Sequence, residues 1–203
     1  ATTEIYTRTY TLSLHGAVPI WSGCYLSHGD VFQVAQSFIG TSDNPNRGGR
    51  ILFCVAVAST GGLNNSYAVP SGGGDYTYNF RVENGTVRII LGVIRSGKLS
   101  DKKGYTVDVY TSAEDTAAAV SAFGGEAMPE GLYSLPSTVV VPDGKTGGTF
   151  YLDIPVLAIS RSEYAGKKLV LSVGIRNPSA YELSDAATKT AVIVNIDALK
   201  ALL

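Results

Sequence analysis

The sequence predicts an all-β fold, an antiparallel β-sandwich with one short helix, and three observations point to it. Val, Thr and Ile supply 20, 17 and 12 of the 203 residues, a β-branched excess that suits pleated sheets. Apolar and polar side chains alternate over several short runs, the period-two mark of a strand with one face in water. Clusters of Gly, Asn, Asp and Pro separate the runs at short intervals, as in a sandwich rather than an α/β fold.

Each element has its own justification. Residues 6–14 alternate, with Tyr6, Arg8, Tyr10, Leu12 and Leu14 opposite Thr7, Thr9, Thr11 and Ser13. The pattern returns in residues 76–82, through Tyr76, Tyr78, Phe80 and Val82, and in residues 150–154, through Phe150, Leu152 and Ile154. Residues 51–58, 87–94, 169–175 and 191–196 are apolar at nearly every position, as expected of central strands covered on both faces. Residues 31–39, 105–110 and 138–141 bring the expected strands to about ten. Asn84-Gly85 joins two apolar runs, and both residues tolerate the positive φ of a type I′ hairpin turn. Pro142-Asp143-Gly144 marks a second turn.

The helix is placed at residues 113–123. Ser112 is followed three residues on by Asp115, close to a capping box, and Gly124-Gly125 stops the run. Eleven residues are too few to be helical alone, so this segment must lean on a sheet, with Val120 and Phe123 on one face. Residues 198–203 read as a terminal turn whose Leu-Leu end suits a chain that continues. The expected core holds Phe80, Ile89, Leu91, Val107, Val109, Phe150, Leu152, Leu171, Val173, Val192 and Val194. Residues 1–203 read as one domain, with 1–79 as an elaborated N-terminal part and no Pro-rich or charged linker behind it.

Composition excludes several functions. Sixteen basic and 17 acidic residues give a net charge of −1, without the basic surplus that a nucleic-acid or anionic-membrane binder needs. No apolar run reaches the roughly 20 residues of a membrane helix. The N-terminus lacks a basic-then-apolar leader, so a signal peptide is absent or already removed. No cofactor or metal is expected. Cys24 and Cys54 lack metal-ligand spacing, and they read as two unbridged buried thiols rather than a disulfide. Asp43-Asn44-Pro45-Asn46 lacks the spacing and closing Glu of a calcium loop.

The search for catalysis is negative. Ser27-His28-Gly29-Asp30 sets three triad residue types side by side, but neighbours on an extended chain point apart. His15 has no partner motif, and no G-x-S-x-G elbow occurs. Asp108 and Asp153 lie on polar strand faces with nothing to pair them for glycoside hydrolysis. No catalytic activity is expected. The candidate ligand contacts are instead aromatic: Trp21 and Tyr25 in an irregular segment, and Tyr67 and Tyr76 beside the glycine-rich loop at 71–74. Such rings stack on sugars, or they close the end of the core.

The C-terminal part, about residues 80–197, resembles a known group. Tyr133-Ser134-Leu135-Pro136 leads into Ser137-Thr138-Val139-Val140-Val141-Pro142, followed by Gly144-Lys145 and the strand at 148–154. Leu157, Tyr164, the strand at 169–175, Ala180-Tyr181-Glu182-Leu183-Ser184 and the strand at 190–196 come next in order. This order is similar to that of the domain of unknown function forming the N-terminal, immunoglobulin-like sandwich of surface lipoproteins in gut Bacteroidetes. Leu171-Ser172 stands where members usually carry Leu-Pro, and residues 1–74 have no match. The resemblance implies a secreted or lipid-anchored surface protein concerned with glycan capture or adhesion, and it supplies no catalytic residues. The expected partner is a glycan; the alternative is a protein partner bound by a structural or adhesive spacer. A membrane would be met only through a lipid anchor. Asp115-Thr116-Ala117 is also similar to the short O-glycosylation motif of those bacteria, although it falls inside the expected helix.

Overall fold

The computed structural model describes residues 23–27, 31–35, 50–55, 66–73, 78–95, 103–183 and 188–203, the first three stretches as backbone only. The strand expected at 6–14, Trp21, Tyr76, both histidines, the Asp43–Asn46 loop and the side chains of Tyr25, Cys24 and Cys54 lie outside the described residues. In chain order the strands are β1 (Gly23–Ser27), β2 (Val31–Ala35), β3 (Arg50–Val55), β4 (Ser66–Val69), β5 (Phe80–Glu83), β6 (Thr86–Arg95) and β7 (Tyr105–Thr111). After helix α1 (Ala113–Phe123) come β8 (Glu126–Ala127), β9 (Thr138–Val141) and β10 (Gly147–Pro155). The chain ends with α2 (Val156–Ile159), β11 (Lys168–Arg176), β12 (Glu182–Leu183), β13 (Lys189–Asn195) and α3 (Ile196–Lys200).

These elements form an all-β sandwich. One sheet runs β10-β6-β3-β12, with β5 beside β6, and the other runs β4-β13-β11-β7-β9, with β8 beside β11. β1 and β2 pair separately as a hairpin. The expected core is the observed one: all eleven named residues are buried, with Tyr105, Met128, Leu132, Ile159, Ile196 and Leu199 adding to it. The β5–β6 hairpin turns where expected, with φ of 49° at Asn84 and 72° at Gly85. Asp143 and Gly144 make the turn between β9 and β10, closed by the Lys145 N–H on Pro142 O at 3.1 Å.

Among the described residues the sheets depart from a purely antiparallel plan in three short pairings, β4 with β13, β8 with β11 and β12 with β3, all parallel. The reason is visible at α1. β7 is antiparallel to β11, and the chain turns back after the helix, so β8 must run parallel to β11. Among the described residues two further α-helical segments, α2 and α3, join the one expected, each a single turn at a strand end, and Glu130–Leu132 and Ser162–Tyr164 form 3-10 turns.

In both sheets two short strands share one edge of a long one, and a side chain fills the gap between them. β5 pairs with β6 as far as Ile89, and β3 pairs with it from Leu91. Between them the Ile90 N–H donates to Asn79 O at 3.0 Å, and Ile90 O accepts from the Tyr67 hydroxyl at 3.0 Å. On β11, β8 reaches Val170 and β7 begins at Val173. There the Ser172 N–H donates to Thr116 Oγ1 of α1 at 3.1 Å. Buried backbone groups must be paired, and these side chains do what a continuous strand would have done.

Asn79 explains why β5 begins at Phe80 and does not include Tyr78. Its side chain donates to Ala68 O at 2.7 Å and accepts from the Ser71 N–H at 2.8 Å, while its own N–H donates to Ser71 O. These bonds tie the backbone to the loop after β4 and away from a strand ladder. Helix α1 is capped as expected, Ser112 Oγ accepting from the Asp115 N–H at 3.2 Å. Its contact stripe is different: Thr116 and Ala119 are buried with Val120 half-buried, whereas Phe123 is exposed. Small side chains let the helix sit close on Val170 and Ala191. The same contact overturns the O-glycosylation motif, because Thr116 is buried and its hydroxyl is engaged.

Candidate functional site

β9 and β10 are edge strands of opposite sheets, and they meet along one open side of the sandwich. The groove there has a volume of about 430 Å3 and is open to solvent. That volume falls within the roughly 300–1,000 Å3 usual for small-ligand sites. It is lined by Thr138 and Val140 of β9, by Thr149, Tyr151 and Asp153 of β10, and by residues 134–136.

Strand geometry dictates what the groove displays. β9 buries Val139 and Val141 and exposes Thr138 and Val140, the latter by 67%. β10 buries Phe150, Leu152 and Ile154 and turns Thr149, Tyr151 and Asp153 outward. Thr146 O accepts from Arg95 N–H on the β6 side, whereas Asp153 exchanges two hydrogen bonds with Ser134 on the other side. By the alternation of an antiparallel ladder, the backbone groups of Thr149 and Tyr151 also point away from β6, along the free edge.

Cross-strand register then assembles a charged cluster. Arg81 pairs with Arg88, and Arg88 with Asp153, so two guanidiniums and a carboxylate share one row. Adjacent like charges would repel, but counter-charges and a ring surround them. Arg88 Nη1 reaches Glu83 Oε2 at 2.8 Å, Arg88 Nε reaches Asp153 Oδ1 at 3.1 Å, and Arg81 Nε reaches Glu83 Oε1 at 2.9 Å. The Tyr151 ring lies 4.1 Å from the Arg88 guanidinium and 4.6 Å from that of Arg81, within cation–π range. The Arg88 hydrogen bond, chiefly, holds the Glu83 carboxyl below its usual range, with the Arg81 charge acting the same way. Glu83 in turn raises Arg88 further.

The sequence candidates fare differently. Tyr67 offers no face to a ligand: it is 2% exposed, and its hydroxyl is spent on Ile90 O. Burial pushes its phenol well above the ordinary range. β4 is an edge strand, but its Tyr67 and Val69 face the core together while Ser66 and Ala68 face out. Tyr25 falls in β1 rather than in an irregular segment. Asp108 and Asp153 lie in opposite sheets, Asp108 accepting from Asn177 Nδ2 at 3.0 Å. Among the described residues no group of three His, Cys, Asp or Glu is placed to hold a metal ion, and no helix is long and apolar enough to cross a membrane. Nothing local in the sequence marks Arg88 or Tyr151 as a groove residue. The outward alternation of Tyr151 and Asp153 was readable; their meeting with Arg88 required the β6–β10 register.

No protein-family model matches the chain, and no curated protein matches it by sequence. Solved structures do share its fold. A Bacteroides ovatus protein of unknown function superposes with a TM-score of 0.51 at 18% identity, over 71% of this chain and 46% of its own. A multidomain Bacteroides ovatus protein including DUF1735 superposes with a TM-score of 0.50 at 18% identity, over 71% of this chain and 44% of its own. The chain thus spans less than half the length of either. What is shared at this identity is the architecture: an all-β sandwich of a kind that Bacteroides proteins carry.

Proposed function

We propose that the chain is a non-catalytic binding module displayed at the cell surface, and that its ligand is a glycan. The observation that carries this reading is the open groove between β9 and β10. It is lined by the hydroxyl-bearing Ser134, Thr138 and Thr149, a Tyr ring and an arginine–carboxylate pair, and sugars are recognised by such a mixture of ring faces and fixed polar groups. The resemblance to surface lipoprotein sandwiches supports the same setting, with attachment through a lipid anchor. Trp21, Tyr25 and Tyr76 remain proposed as additional ring contacts.

A glycan array followed by calorimetry tests the reading. Saturable binding to at least one host or plant glycan is the expected result; a blank array counts against it. The second reading, a spacer or adhesive module for a protein partner, is favoured by Leu157, which is 85% exposed on α2. It gains if the array is blank.

A further inference from the structure

Resting on the glycan reading, we propose that the β9–β10 groove is the binding site and takes a stretch of neutral sugar chain lying along the two strand edges. The Arg88–Asp153 pair would read its hydroxyls. Shape argues for a stretch rather than a chain end, because the groove is an open cleft along the sandwich and not an enclosed chamber.

Charge argues for a neutral chain. Among the described residues, Arg88 and Asp153 are the only charged ones lining the groove, and they hold each other at 3.1 Å. Glu83 occupies another arm of the same guanidinium. A uronate or sulfate would meet a cation already neutralised twice, with a carboxylate beside it, so its desolvation would go uncompensated.

Hydrogen-bonding capacity argues for hydroxyls. Among the described residues, Arg88 Nη2 and Asp153 Oδ2 are left without a partner once the ion pairs are made. The pair thus keeps one donor and one acceptor for the hydroxyls of a sugar chain. Tyr151 acts as a positioning residue, its ring lying against the Arg88 guanidinium. With Glu83 and Asp153 it keeps that side chain in place before ligand arrives, so little conformational freedom is lost on binding.

The test is calorimetry with neutral linear gluco-, xylo-, manno- and galacto-oligosaccharides, against oligogalacturonate and a chondroitin sulfate oligosaccharide, at about 50 and about 500 mM NaCl. The variants are Arg88→Ala, Asp153→Asn and Val140→Arg, each checked by thermal melting. Val140→Arg changes an exposed rim residue, so it blocks the groove without touching the core. A neutral oligosaccharide should bind with little salt dependence and weaken about tenfold or more in every folded variant. Binding that survives Val140→Arg and Arg88→Ala but is lost in Trp21→Ala overturns the site and leaves the glycan reading standing. Preference for the acidic chains, weakening steeply with salt, overturns the neutral assignment. No binding by the wild type to any sugar overturns the glycan reading and this proposal together.

Discussion

Tyr67 and Thr116 perform the same task in the two sheets, each supplying a hydroxyl to a buried backbone group where one strand stops and the next begins. Removing one partner of a buried hydrogen bond typically costs about 1–3 kcal/mol. Tyr67→Phe and Thr116→Val are therefore each expected to lower stability by that amount in urea denaturation, while Thr116→Ser retains the bond and loses less. If Tyr67 were a surface contact, Tyr67→Phe would leave the denaturation midpoint unchanged. The inward face of Tyr67 was legible in principle, since Ser66-Tyr67-Ala68-Val69 alternates and Val69 belongs inside; four residues between turns hid the pattern. What it bonds to was not legible, because Ile90 lies 23 positions away. Glu83 gives a pH test at the same scale. Its carboxyl is held below its ordinary value of 4.5 in the folded chain, so its stabilisation is present above that value and is lost as pH falls through the lower, folded one. Between about pH 5 and about pH 3, the wild type should lose more stability than Glu83→Gln. Parallel acid profiles would show that the ion pair contributes nothing.

Among elements, β6, β7, β9, β11 and β13 were readable from the sequence to within a residue or two, because β-branched runs bounded by turns have few other uses. β8 and β12 were not, since two residues carry no period and their parallel pairing depends on where a helix or loop returns the chain. β10 begins earlier than its alternation, at Gly147-Gly148, and the glycines have a reason. A Cβ on Gly147 would stand 2.6 Å from Val93 O, and one on Gly148 would stand 3.1 Å from Val141 Cγ2. Their absence lets β10 lie close to both β6 and β9, which brings the groove walls together. Phe150, buried at 4% exposure between the sheets, should cost about 3–5 kcal/mol on truncation to Ala. Chemical denaturation checks that value, and a loss under about 1 kcal/mol would mean that the sheets do not pack through this side chain.

At the scale of the whole molecule, a sandwich has two open sides where edge strands face each other, and the chain treats them differently. On one, Tyr67 and Asn79 bond across from the β4 side to β6 and tie the sheets together. On the other, β9 and β10 leave outward-facing threonines, Val140, Tyr151 and the Arg88–Asp153 pair along a groove. The sandwich was legible because composition and period both point to it. The groove was not, because it is made by two strands from different sheets whose juxtaposition no local pattern encodes. Its central role can be tested directly by titrating a bound neutral oligosaccharide into isotope-labelled protein and following backbone amide shifts. The largest changes are expected on Arg88, Ser134, Thr138, Val140, Thr149, Tyr151 and Asp153. Changes confined to the neighbourhood of Trp21, Tyr25 and Tyr76, with the β9–β10 edge silent, would contradict it.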